Sequence, residues 1–112
     1  PQEYIELAPA KFLPGFDATT HLNTNQLITI DGHQAHIETR MYACHYINPQ
    51  DNTLTDHLSA PASTHCNMQM HWEGWLNRQP DGSWLFHKFY MGVVASEGDM
   101  SAMQTARSRV EN

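Results

Sequence analysis

Residues 20–45, THLNTNQLITIDGHQAHIETRMYACH, decide how this chain folds. The first part, HLNTNQLITI, is rich in strand-favouring Thr, Leu and Ile, Asp31-Gly32 is a turn signal, and QAHIETRMYACHYI (34–47) resumes in the same style. Two such runs around a tight turn predict a β-hairpin. A second hairpin follows, because HCNMQMHWEGWLNR (65–78) and SWLFHKFYMGVV (83–94) flank the turn former Gln79-Pro80-Asp81-Gly82.

Strand periodicity sorts the side chains onto two faces. In the third strand Cys66, Met68, Met70, Trp72 and Leu76 share one face, and His65, Asn67, Gln69, His71 and Glu73 take the other. In the second, Ala35, Ile37, Met41, Ala43 and His45 lie opposite His36, Glu38, Arg40 and Tyr42, which puts His45 on the apolar side. The first strand is ambiguous: His21, Asn23 and Asn25 align with Leu27, whereas Leu22, Ile28 and Ile30 align with one another.

Outside the hairpins the signals weaken. PQEYIELAPAKFLPGF (1–16) places Ile5, Ala8 and Phe12 at helical spacing, but Pro9 and Pro14-Gly15 break the run, so one short helix is expected. NPQDNTLTDHLSAPAST (48–64) is a long connection of turn formers, either a lid or an insertion; its Asp56-His57 neighbours resemble a dyad only by adjacency. In the tail, Met100, Met103, Ala106 and Val110 at helical spacing, with Asp99 as an N-cap, read as a terminal helix or a disordered end. The expected architecture is α+β: four long antiparallel strands in a strongly curved sheet with a short N-terminal helix packed on it. A single domain spans 1–112, with its core at about 1–94.

Composition narrows the function classes. At 112 residues and 40% hydrophobic content the chain supports one core. Six Lys and Arg against twelve Asp and Glu leave a net charge of −6, which argues against a nucleic-acid partner. No apolar run approaches the ~20 residues of a membrane helix, and the N-terminal stretch lacks the pattern of a signal peptide, so no membrane association and a cytoplasmic location are expected. Cys44 and Cys66 sit in apolar segments without a CxxC partner and read as free thiols. Eight histidines are the unusual feature.

His21 opening the first strand, the apolar-Asp-Gly-x-x-Ala turn Ile30–Ala35, His45 ending the second strand and the Gly82–Trp84 return together resemble the SnoaL-like polyketide cyclase and scytalone dehydratase group of the nuclear transport factor 2-like superfamily. The resemblance spans roughly residues 1–94. It implies a cone, a curved antiparallel sheet around helices, with a largely apolar pocket at one end. It further implies that His21 and His45 match the two pocket histidines with which the dehydratases carry out acid-base elimination. In the family a Tyr and an Asp from preceding helices complete that site. Those helices precede the segment that Pro1–Phe16 resembles, so the expectation is an incomplete or processed chain, or a cone closed by a dimer partner.

Hairpin register decides whether the two histidines meet. A two-residue turn at Asp31-Gly32 places His21 opposite Tyr42 and the imidazoles on opposite faces. A three-residue loop, Asp31 to His33, places His21 opposite Ala43, with the side chains ~7–8 Å apart on one face. A β-bulge has the same effect. In a shared apolar pocket, a neutral imidazole is a competent general base. Asn23 and Asn25, with Tyr42, are candidate hydrogen-bond donors to a carbonyl or enolate, and Met68, Met70 and Trp72 are candidate walls for a flat apolar or aromatic ligand.

No metal or other cofactor is expected from spacing. His65 and His71 are ~20 Å apart along one strand at ~3.3 Å per residue, His33 and His36 need an outside ligand, and no run matches a structural zinc motif. Two functions remain: lyase, cyclase or isomerase chemistry by His21 and His45 on a hydroxylated or keto substrate, or a non-catalytic ligand-binding or dimerisation module. A dry sheet face lacking its first helices also predicts a homodimer.

Overall fold

The computed structural model describes residues 9–49 and 63–112. The chain begins there with helix α1 (Pro9–Phe12) and a 3-10 turn at Leu13–Gly15, and continues through strands β1 (Ala18–Asp31), β2 (Gln34–Ile47), β3 (Thr64–Arg78) and β4 (Trp84–Gly98) to helix α2 (Ser101–Glu111). The four strands form one antiparallel sheet in sequence order. This is the expected α+β architecture. Ile5, Ala8, most of the long connection and its Asp56-His57 pair lie outside the described residues.

The first hairpin turns one residue later than its sequence signal. Asp31 pairs with Gln34, so Gly32 and His33 form the loop, and Gly32 adopts φ 60°, which glycine tolerates without a Cβ clash. From there the register places Ile30 opposite Ala35 and Ile28 opposite Ile37. Between Leu27 and Thr24 it shifts: Asn25 and Gln26 together oppose Thr39, a β-bulge in which Asn25 takes φ 53°. Asparagine is among the few residues that accept this left-handed conformation. The Thr39 side chain, 4% exposed, donates its hydroxyl to the Thr24 carbonyl at 2.8 Å and closes the gap.

The bulge changes the phase of β1. His21 and Asn23 stand opposite Ala43 and Met41, and therefore share a face with Ile28 and Ile30 despite the odd spacing between the two sets. Neither simple turn alone produces this arrangement. The second hairpin closes as expected on Gln79–Gly82, where the Gly82 N–H donates to the Gln79 carbonyl at 2.9 Å and Gly82 takes φ 88°. Strand β4 carries two extra residues, Val94 and His87, at shifts opposite Gln69/Met70 and Trp75/Leu76. Such insertions bend a strand and increase its twist, which curves the sheet.

Helix α2 covers one end of the inner face. Phe16, Cys66, Ala102 and Ala106 form a buried cluster with Phe12, Leu13, Ile47 and Met103 around it. Two small alanines let the helix backbone approach closely, and Gly15 is the point of contact: a Cβ there would lie 1.9 Å from the Ala106 carbonyl oxygen. Arg109 fastens the helix by donating from one nitrogen to the Gly15 carbonyl and to Asp17, each at 3.0 Å. Further along the same face, Trp72 packs edge-on to Phe86 and stacks on Phe89, while Ile28, Ile30 and Val93 remain more than half exposed. Among the described residues no helix is long and apolar enough to cross a membrane.

Candidate functional site

The bulge in β1 brings His21 and His45 together. Their Nε2 atoms are 3.2 Å apart and their rings meet edge to face at 5.2 Å between centroids. This is direct contact, closer than the ~7–8 Å of a generic diagonal pair. His45 is 4% exposed and packs against the Phe16 ring at 4.9 Å. His21, on the edge strand, stays open to solvent.

Hydrogen-bond partners assign the protons. His45 Nδ1 is 3.0 Å from the Cys66 carbonyl, which can only accept, so Nδ1 carries a hydrogen. In the neutral ring His45 Nε2 is then the acceptor, and it receives the Nε2–H of His21. That tautomer leaves the His21 lone pair on Nδ1. When the pair takes up one proton, it can do so at this nitrogen without losing the Nε2 to Nε2 bond; a second proton would put hydrogens on both facing nitrogens. Desolvation, reinforced by the neighbouring imidazole, holds His21 below its ordinary value of 6.5. His21 is therefore neutral at physiological pH, with the Nδ1 lone pair available to accept a proton.

The pair opens on a cavity of about 170 Å³ lined by Phe12, Leu13, His21, Met41, Ala43, His45, Met68, Met70, Met91 and Met103. Among these residues the two imidazoles are the only polar side chains. Five methionines supply polarizable, adaptable walls. Cys66, beneath His45, is fully buried, and burial together with the Asp99 carboxylate pushes its thiol up, so it remains protonated and unreactive.

The other sequence candidates are distributed around this centre. Met68 and Met70 line the cavity. Asn23 shares the face of His21, opposite Met41. Asn25 sits at the exposed bulge, where its left-handed backbone sets the register. Trp72 stands on the same face but packs with Phe86 and Phe89 beyond the cavity. Tyr42 lies on the opposite face, where its hydroxyl donates to Glu97 at 2.5 Å and accepts from Asn67 at 3.3 Å; the bond to Glu97 raises the tyrosine above its ordinary value. Asn67 in turn accepts from the His45 backbone N–H at 3.4 Å, so Tyr42 supports the strand beneath His45 from behind. Met41 and Ala43 were readable as cavity walls from their phase with His45. Leu13, Met91 and Met103 were not, because strand pairing and helix docking place them there.

The SnoaL-like domain family matches residues 3–90. The chain belongs to that family. This SnoaL-like domain is also similar in fold to the Kfla4162 protein from Kribbella flavida, known from a crystal structure, with a TM-score of 0.63 and 21% sequence identity. The match covers 95% of the chain and 62% of that protein, so the domain spans less than two thirds of its structural neighbour. No curated protein matches the chain. The family places the domain in the nuclear transport factor 2-like superfamily, whose SnoaL-like members include cyclases, isomerases and dehydratases and bind small ligands.

Proposed function

We propose that this SnoaL-like domain performs metal-independent acid-base chemistry of the lyase, cyclase or isomerase type on a small hydroxylated or keto compound with an apolar or aromatic body. The observation that carries the reading is the hydrogen-bonded imidazole pair in a methionine-walled cavity. In a dehydration, the lone pair on His21 Nδ1 takes the proton α to a carbonyl and the electron pair moves into the enolate. The enolate then re-forms the carbonyl as the carbon–oxygen bond at the β position breaks. The departing hydroxide takes the proton back from the pair and leaves as water, returning both imidazoles to neutrality. Positioned proton transfer of this kind contributes about 10²–10⁴ in rate. Met68 and Met70 contact the ligand, and Asn23 supplies an amide donor on the same face.

The test is a panel of aryl β-hydroxyketones assayed for enone absorbance. Turnover that His45→Gln and His21→Gln each reduce at least 100-fold supports the enzyme. Turnover indifferent to both substitutions removes the pair from the chemistry. A second reading has its own observation: among the described residues no carboxylate or hydroxyl side chain lines the cavity, which suits a binding cup or dimerisation module. Saturable binding of the same ketones without turnover supports that reading. In either case a second copy covers the exposed side chains of Ile28, Ile30 and Val93. Light scattering then reads a dimer, and a monomer at all concentrations contradicts it.

A further inference from the structure

On the opposite face of the sheet, away from the imidazole pair, β2 and β3 bring four ligating side chains together. Glu38 and Glu73 are directly paired across the strands, and His36 and His71 lie one step to either side, opposite Trp75 and Arg40. Two carboxylates directly opposite each other across a ladder destabilise it. The groups are also divided in function. Glu73 Oε1 is held by His71 Nε2 at 2.7 Å, while Oε2 faces His36 Nε2 at 3.5 Å. Among the described residues the buried His36 Nε2 makes no hydrogen bond, and Glu73 Oε2 is its ion-pair partner. Ligand atoms of His36, Glu38 and Glu73 all lie within 4.8 Å of one another.

We infer that His36, Glu38 and Glu73 form a binding site for a divalent zinc-class transition-metal ion, with His71 orienting Glu73. The separation fits. Two ligands bonded at ~2.0–2.1 Å to a tetrahedral ion lie about 3.4 Å apart, close to the observed distance between His36 Nε2 and Glu73 Oε2. The donor set selects the ion class, since an imidazole with two carboxylates suits zinc and its neighbours better than magnesium or calcium, which prefer oxygen alone. Ligating carboxylates are themselves held by outer hydrogen bonds, the role that His71 takes on Glu73 Oε1. Bound there, the ion removes the Glu38–Glu73 repulsion and ties β2 to β3.

Calorimetric titration of the EDTA-treated full chain with zinc chloride tests the site. One ion binds per chain. His36→Ala, Glu38→Gln and Glu73→Gln each weaken binding at least tenfold, His71→Ala weakens it about 10–100-fold, and His21→Gln leaves it unchanged. Cobalt(II) or copper(II) quenches Trp75, whose ring centroid is 5.0 Å from that of His36, and His36→Ala abolishes the quenching. Circular dichroism confirms that each variant is folded; should His36→Ala fail to fold, Glu38→Gln carries the test. Absence of zinc binding by the unmodified chain overturns the inference. So does binding that survives Glu38→Gln and Glu73→Gln but disappears with His21→Gln, which would assign the metal to the cavity imidazoles.

Discussion

The Thr39 hydroxyl donates to the Thr24 carbonyl at 2.8 Å, across the one place where two β1 residues face a single residue of β2. That bond fills the gap on which the meeting of His21 and His45 depends. Thr39→Val keeps the side-chain shape but removes this part-buried hydrogen bond, a loss of about 0.5–1.5 kcal/mol. Urea unfolding checks the value, and a change below about 0.3 kcal/mol contradicts a role for Thr39 in holding the bulge.

Helix α2 supplies Met103 to the cavity and depends on a glycine to do so. Gly15→Ala would place its Cβ 1.9 Å from the Ala106 carbonyl oxygen and 2.7 Å from its Cα, both backbone atoms that cannot rotate away. The helix must shift, and overpacking of this kind costs about 1–3 kcal/mol or more. Gly32→Ala provides the contrast, because no described atom lies within 4 Å of its Cβ and only the positive φ is strained, a penalty of about 1–2 kcal/mol. Thermal melts of the two variants should differ clearly, with Gly15→Ala the lower. Equal melting temperatures would mean that α2 does not dock as described.

The depressed His21 gives stability a pH dependence of known sign. The unfolded ring titrates near 6.5 and the folded ring below that. Between those two values the unfolded chain binds more protons, so stability falls as pH drops through 6.5 and is unaffected by this group well above it. His21→Gln removes this contribution. Urea midpoints at pH 7.5 and 5.5 should therefore differ more for the unmodified chain than for His21→Gln; an identical difference in both removes His21 as the source. Asp17 acts at lower pH. The Asn48 backbone N–H and then Arg109 lower its carboxyl from 3.8, so its stabilisation is present above that value and is lost as pH falls through the folded one.

How far the sequence could be read depended on where each strand kept its phase. β2 and β3 alternate without interruption, and the faces of His45, Met68, Met70 and Trp72 follow directly. β1 does not, because Asn25 and Gln26 insert one residue and set His21 and Asn23 in step with Ile28 and Ile30. Periodicity cannot show such a shift, although a bulge was among the arrangements able to bring the histidines together. The turn signal at Asp31-Gly32 was displaced by one residue for a related reason: glycine's positive φ is used at the first loop position, and Asp31 joins the ladder. The cluster of His36, Glu38 and Glu73 escaped spacing rules because its ligands come from two strands and meet only through the β2–β3 register. The helical cavity walls, Leu13 and Met103, carry no local signal for their position.

Ring-nitrogen NMR of histidine-labelled protein at pH 7.5 tests the central claim most directly, since it reads the proton on each nitrogen without requiring a substrate. The hydrogen-bond geometry predicts His45 protonated on Nδ1 and bare on Nε2, His21 protonated on Nε2 and bare on Nδ1, and uptake of a single proton by the pair at His21 Nδ1 on acidification. A His45 ring protonated on Nε2 alone, or two rings that take up protons independently, would contradict a shared proton and with it the acid-base role of the pair.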